Sequence, residues 1–298
     1  TNLKGIALKK LFVEVFHDYV NELNYPAEVA GLHYHVYAHQ GGITLHTTGY
    51  SEKQAELLQH LLQELQYTHF SRQRIMTIKN QLIISLDNQS HNKPVSQLFG
   101  KLAQLLHKNS FSSVEISEAM DNIAPEDILS FSQVFFGQCK ADIFVHGDWR
   151  ESQAIDLADM VKLSVLSTSK ISQSTPREIA QISEKSNCFL SHPIKNNDIA
   201  VVSYVQGSSN HWDEAAKLMF IEQLIAPEFF NDLRTRQQLG YVVGTGYAPM
   251  NKTPGLVFYV QSPTHTPLQI YNAIFTFVNN IPELLHKISD KEFVMAQK

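Results

Sequence analysis

Apolar residues recur at helical spacing along the first stretch of the chain. Leu8, Leu11, Phe12, Val15, Phe16, Tyr19 and Leu23 form one wide stripe, which predicts a helix over Leu3 to Leu23. Tyr25-Pro26 breaks the period, and Pro26 opens a short helix that Gly31 stops. The period then falls to two. Leu32, Tyr34, Val36 and Ala38 alternate with His33, His35, Tyr37 and His39. This predicts strands over Leu32 to Gln40 and Ile43 to Tyr50, turned by Gly41-Gly42. Ser51 is placed to cap the next helix, with Gln54 completing a capping box. That helix reaches Gln66. Further helices are predicted over Ser71 to Asp87, Pro94 to His107, Val114 to Asn122, Pro125 to Phe136 and Trp149 to Leu166. Lys140 to Gly147 reads as a strand.

Ser167 to Ser186 loses the periodicity. It is rich in Ser, Lys, Gln and Thr and reads as a linker between residues 1–166 and 187–298. Strands are predicted over Cys188 to Ile194 and Ile199 to Gln206. Helices follow over Trp212 to Leu224 and Pro227 to Leu239, with Asn210 as an N-cap. Strands over Tyr241 to Tyr247 and Leu256 to Gln261 precede a helix from Pro267 to about Asn280. The fold class is therefore α+β, with helices layered on mixed, largely antiparallel sheets.

With 298 residues the chain can bury a sizeable core, and 43% hydrophobic with 18% charged residues is an ordinary globular composition. A net charge of −5, with Lys and Arg dispersed, argues against a nucleic-acid surface. No apolar run is long enough to span a membrane. Cys139 and Cys188 lie far apart and suggest neither a disulfide framework nor a cysteine zinc site. Asp290 to Lys298 reads as a helix cut short. The chain is therefore expected to be part of a longer one, and the lack of a signal peptide carries no information on compartment. Phosphate loops, dinucleotide glycine patterns and a Gly-x-Ser-x-Gly elbow are absent from the sequence.

Two places look like metal sites. In His211-Trp212-Asp213-Glu214-Ala215, one histidine and nearby carboxylates fall short of the three protein ligands of a catalytic zinc. An acidic first turn suits a helix N-terminus equally well. On the hairpin, a Gly41-Gly42 turn sets His46 opposite Tyr37 and diagonal to His35 and His39. That face is either a weak metal cluster or a polar sheet face.

The stretch Phe229 to Tyr241 concentrates chemistry. Phe229, Phe230 and Leu233 face a core, Gly240 is expected to end the helix in a left-handed conformation, and Tyr241 opens a strand. Arg234, Gln238 and Tyr241 lie a turn apart and are expected to converge as a cation, an amide and a phenol. The plain alternative is a solvated charge and an ordinary strand aromatic.

Leu233-Arg234-Thr235-Arg236-Gln237-Gln238-Leu239-Gly240-Tyr241 resembles the Leu-Arg-Thr-x-x-Gln-Leu-Gly-Tyr segment of the insulin-degrading enzyme and pitrilysin family of zinc peptidases. Gly255 to Ser262 is similar to that family's next strand. Pro26 to Leu32 and Gly49 to Gln54 resemble its Ala-Glu-x-Ala-Gly-Leu and Gly-Tyr-x-x-Lys-Gln segments. The order corresponds to the C-terminal half of such an enzyme. The resemblance implies two similar, duplicated domains: the third over 1–166 and the front of the fourth over 187–298. It implies a zinc metalloendopeptidase parent whose zinc sits in its N-terminal half, on a His-x-x-Glu-His motif that this sequence lacks. This part would hold no metal, be inactive alone, close the chamber and bind peptide. Arg234 and Tyr241 would reach the transition state, and Gln238 would contact substrate. The partners implied are peptide substrates and the zinc-binding half, with no nucleic acid or membrane. A periplasmic or secreted location is favoured over a cytoplasmic one. Some members of the wider family are inactive, so a scaffold or partner subunit is the alternative.

Overall fold

The computed structural model describes residues 2–67, 70–166, 169, 178–183, 187–194 and 196–296. In chain order the elements are α1 (Leu3–Val29), β1 (His33–His39), β2 (Gly42–Thr48), α2 (Ser51–Tyr67), α3 (Arg72–Asn88), α4 (Pro94–Leu106), α5 (Ser113–Asp121), α6 (Pro125–Phe136) and α7 (Glu151–Val165). They continue with β3 (Ile199–Gln206), α8 (Trp212–Phe230), a π-helical turn (Asn231–Arg236), β4 (Val242–Tyr247), β5 (Gly255–Ser262), α9 (Pro267–Lys287) and α10 (Asp290–Ala296). Two compact units result, one of residues 1–87 and 113–176, the other of 88–112 and 177–298. Both are α+β. Helix α4, which stands in the first half of the sequence, belongs to the second unit. The proposed linker over 167–186 lies mostly outside the described residues.

In the first unit α1 is the central beam. The apolar stripe buries Leu11, Phe12, Val15 and Phe16. The Phe12 ring meets those of Phe131 at 5.9 Å and Phe136 at 6.2 Å, both on α6. The hairpin lays Tyr34 and Val36 inward and leaves His33, His35 and Tyr37 outside, as period two requires. Two buried lysines satisfy their ammonium groups on main-chain carbonyls. Lys9 donates to His39, and Lys79 to Asp121 and Ile123 at 3.0 and 2.9 Å.

The second unit is built on an antiparallel sheet of order β3-β5-β4. Leu256, Phe258 and Val260 face α8 and α9, where Phe229 meets Phe258 at 5.5 Å and Phe277 at 5.0 Å. On the other face, Phe99 of α4 packs edge-on against Tyr259 at 5.4 Å.

Several expectations need correction. Helix α1 runs straight through Pro26, and α8 and α9 run through Pro227 and Pro282. All three prolines are on exposed faces, where water can take the carbonyl each leaves without a partner. The hairpin turn sits one residue earlier than Gly41-Gly42, since His39 pairs with Gly42, and His46 therefore stands opposite His35. Ser51 is already helical. The Tyr50 carbonyl takes the amides of Lys53 and Gln54, and Gln54 reaches back to the Gly49 carbonyl at 2.6 Å. His211, not Asn210, caps α8 by accepting the Asp213 amide. The stretches 140–147 and 188–194 belong to no sheet among the described residues. Phe144 is 88% exposed, and without a neighbouring strand the alternation there has no ladder to join.

Candidate functional site

Helix α8 closes on the π-helical turn, whose bonds are one or two residues wider than those of an α-helix. The Gln237 amide returns to Asp232 at 2.9 Å and the Leu239 amide to Leu233 at 3.0 Å. Leu233 stays fully buried while Arg234 remains outside. The left-handed residue that ends the helix is Gln238, with φ of 53°. Gly240 is required for a different reason. A Cβ there would run into the Gln261 carbonyl of β5, so only glycine lets the two chains approach.

Arg234 donates through Nη1 to the main-chain carbonyl of Tyr241, and its guanidinium lies over the Phe230 ring at 5.2 Å. Arg236 is held apart by Glu228 at 2.7 Å. The Tyr241 side chain is 48% exposed, and its hydroxyl donates to Asp198. Gln261 donates through Nε2 to Asp198 at 2.8 Å and to the Tyr241 hydroxyl oxygen. The Asp198 hydrogen bond raises the Tyr241 phenol above the ordinary tyrosine value, while Gln261 pulls the other way. The same phenol, then Gln261, holds the Asp198 carboxyl below its ordinary value. At neutral pH the pair is a carboxylate and an intact phenol.

The three residues singled out in the sequence are therefore arranged differently from a single convergence. The guanidinium meets Tyr241 at its carbonyl, and the phenol turns to Asp198. Gln238 stands exposed at the helix end, where its backbone does the work. Asp198 and Gln261 were missed. Gln261 carried a signal, a single amide in an apolar strand that ends up 1% exposed. Asp198, one residue before β3, carried none.

Residues 1–119 match the family model described as the middle or third domain of peptidase M16. Residues 220–298 match the C-terminal lobe domain 4 of PQQ synthase PqqF-like proteins. Over 293 residues the chain is 26% identical to the insulin-degrading enzyme of Drosophila melanogaster, covering 96% of this chain and 30% of that protein. The chain is thus similar to M16 peptidases along most of its length. The human insulin-degrading enzyme is 24% identical over 289 residues, 95% of this chain and 28% of its own length. The chain thus spans under a third of these M16 relatives. Among solved structures, pitrilysin has the same fold over 99% of this chain and 32% of its own, with a TM-score of 0.82 and 19% identity. A structure described as a peptidase M16 inactive domain from Pseudomonas fluorescens gives 0.62 at 15% identity, covering 99% of this chain and 72% of that one.

Among the described residues the zinc implied by the M16 resemblance finds no fitting donors. Ala215 fills the second ligand position, and the Glu214 carboxylate is taken by the amides of Ser208 and Ser209 at 2.6 and 2.9 Å. On the hairpin, His33 Nδ1 is bonded to Glu28 at 2.7 Å. Among the described residues no group of three or more His, Cys, Asp or Glu is arranged to hold a metal ion. No described helix is long and apolar enough to cross a membrane.

Proposed function

We propose that this chain is the zinc-free part of a metalloendopeptidase, where it binds peptide, closes the reaction chamber and supplies Tyr241 and Arg234 to the transition state. The observation that carries this reading is the helix-to-strand junction, which leaves the Tyr241 phenol half-exposed beside Asp198 and holds an exposed guanidinium on the main-chain carbonyl of the same residue. Attack of water on a peptide carbonyl builds negative charge on the carbonyl oxygen. A phenol and a guanidinium are the donors such an oxygen accepts from. At neutral pH the phenol is intact and therefore a donor. The zinc would be carried by residues outside this chain, and the chain alone would cleave nothing.

One observation favours the alternative, a non-catalytic scaffold or partner of the same family. Phenol and guanidinium both already have partners within the chain. Kinetics in the full-length protein separate the two. Tyr241→Phe keeps the ring and loses only the donor. The catalytic reading expects kcat to fall by roughly 10²–10³, as for one lost oxyanion donor, with an unchanged thermal midpoint. Arg234→Lys keeps the charge but loses the planar fork, and is expected to lower kcat too. A full-length protein without turnover leaves the scaffold reading, and wild-type kcat in Tyr241→Phe removes Tyr241 from the mechanism.

A further inference from the structure

The antiparallel order β3-β5-β4 sets the starts of β3 and β4 on either side of the end of β5. Ala200 and Val242 both pair with Gln261. Asp198 and Tyr241, just before the two outer strands, therefore meet over the Gln261 side chain. Gln261 is the fixed member. It is 1% exposed, and a buried amide needs partners at both ends. Its Oε1 accepts the Val95 amide of α4 at 3.3 Å. A main-chain N–H can only donate, so the amide cannot be flipped and Nε2 must face the other way. Nε2 donates to the Asp198 carboxylate and to the Tyr241 oxygen. The phenol oxygen thus accepts from Gln261 and has its own proton left for one acceptor, which here is Asp198.

We propose that Gln261 and Asp198 are the positioning residues of Tyr241: Gln261 fixes the phenol oxygen, and Asp198 holds the phenol proton until a substrate oxygen replaces it. What the phenol then meets rests on the peptidase reading above, but the positioning stands apart from it. Gln261 is anchored through the main-chain amide of Val95 on α4, so the phenol is located without contacts on its exposed face. Asp198 is on the surface and is the exchangeable partner. When a substrate oxyanion takes the phenol proton, the carboxylate keeps its bond from Gln261.

The two residues act on the phenol with opposite sign, and that is the test. In the full-length protein carrying tyrosines labelled with carbon-13 at the ζ position, the Tyr241 resonance is identified by its loss in Tyr241→Phe and followed against pH. In the wild type it titrates above the ordinary tyrosine range, about 10. Asp198→Asn brings it down toward that range. Gln261→Met removes the donor that favours the phenolate and pushes it higher. A merely disordered junction would bring both variants to the ordinary value. Both variants unmoved, or both shifted in the same direction, overturns the proposal. If Gln261→Met does not fold, Asp198→Asn is read beside Asp198→Glu, which keeps a carboxylate acceptor and is expected to keep the raised titration that Asp198→Asn loses; both at the ordinary value overturns the proposal. Steady-state kinetics on the same proteins separate this inference from the reading it rests on. The expected result is a roughly three- to tenfold lower kcat in each variant with KM near wild type, the size of one ordinary hydrogen bond. Opposite titration shifts with wild-type kcat uphold the positioning pair and remove Tyr241 from the reaction.

Discussion

At the residue scale, Gly240 and Gln238 exchange the roles that their types suggest. A glycine after a helix ordinarily supplies the left-handed residue, and here a glutamine does so with φ of 53°. Gly240 is used instead for clearance against the Gln261 carbonyl. Gly240→Ala is therefore expected to lower stability by about 1–3 kcal/mol, the range for forcing an extra carbon into a filled space. Gln238→Gly is expected to leave stability unchanged or raise it by up to about 1 kcal/mol, since a side chain is removed from a strained conformation. Urea titration of the two variants checks both. A destabilised Gln238→Gly beside a neutral Gly240→Ala would return the roles to the order the sequence suggests. The sequence could show that a glycine was needed but not why, because the contact is with a strand twenty residues downstream.

At the element scale, helices α2 to α6 were legible to within a residue, while the ends of α1 and α8 and the expected strands over 140–147 and 188–194 were not. Strands β3, β4 and β5 follow their alternation to within a residue. Proline was read as a stop at Pro26 and Pro227, yet on an exposed helix face it costs one hydrogen bond and the helix continues. The π-helical turn had no signature at all, although it determines where Arg234 emerges. The start of α8 shows what does fix a helix end. Glu214, in the first turn, reaches back to Ser209 and Ser208, whose hydroxyls and amides hold its carboxyl below the ordinary carboxylate value. A carboxyl lowered in the folded state contributes stability that is complete above its unfolded value, about 4.3, and fades as pH falls through the folded value. Hydrogen exchange is therefore expected to show Ser208 and Ser209 protected at pH 6 and losing protection below pH 4. Glu214→Gln should weaken that protection at both pH values and flatten the pH dependence. Equal protection in wild type and Glu214→Gln at pH 6 would leave the helix start to His211 alone.

At the scale of the whole molecule, each unit is assembled from two separate stretches of chain. Residues 178–183 are tied to the second unit: Ile179 bridges His107, the Ala180 amide donates to Leu106 at 2.8 Å, and Gln206 brackets the segment through the Ala180 carbonyl and the Ile182 amide. Helix α4 covers the sheet face that carries Tyr259 and completes Gln261. A polypeptide of residues 177–298 alone is thus expected to melt without a cooperative transition. The same residues with 88–112 joined ahead of them should melt cooperatively, as followed by near-ultraviolet circular dichroism. Matching cooperative melts would show α4 to be dispensable. The sequence reading put α4 with the first domain because it follows α3 directly, and nothing local in a helix tells which sheet it will cover. Its partners, Tyr259 and Gln261, lie more than 150 residues downstream.

That interleaving has a consequence for the nascent chain. The polypeptide crosses from one unit to the other three times, at 87/88, 112/113 and 176/177. Helix α4 leaves the ribosome well before the β3-β5-β4 sheet it covers. At ~5–20 residues per second it waits about 8–30 seconds with Val95, Phe99 and Leu106 uncovered. Helices α1 to α3 wait in the same way for α5 to α7. Synthesis therefore completes the first unit while part of the second is already made and idle. The apolar face of α4 is the place where a holding chaperone would find the chain during that interval.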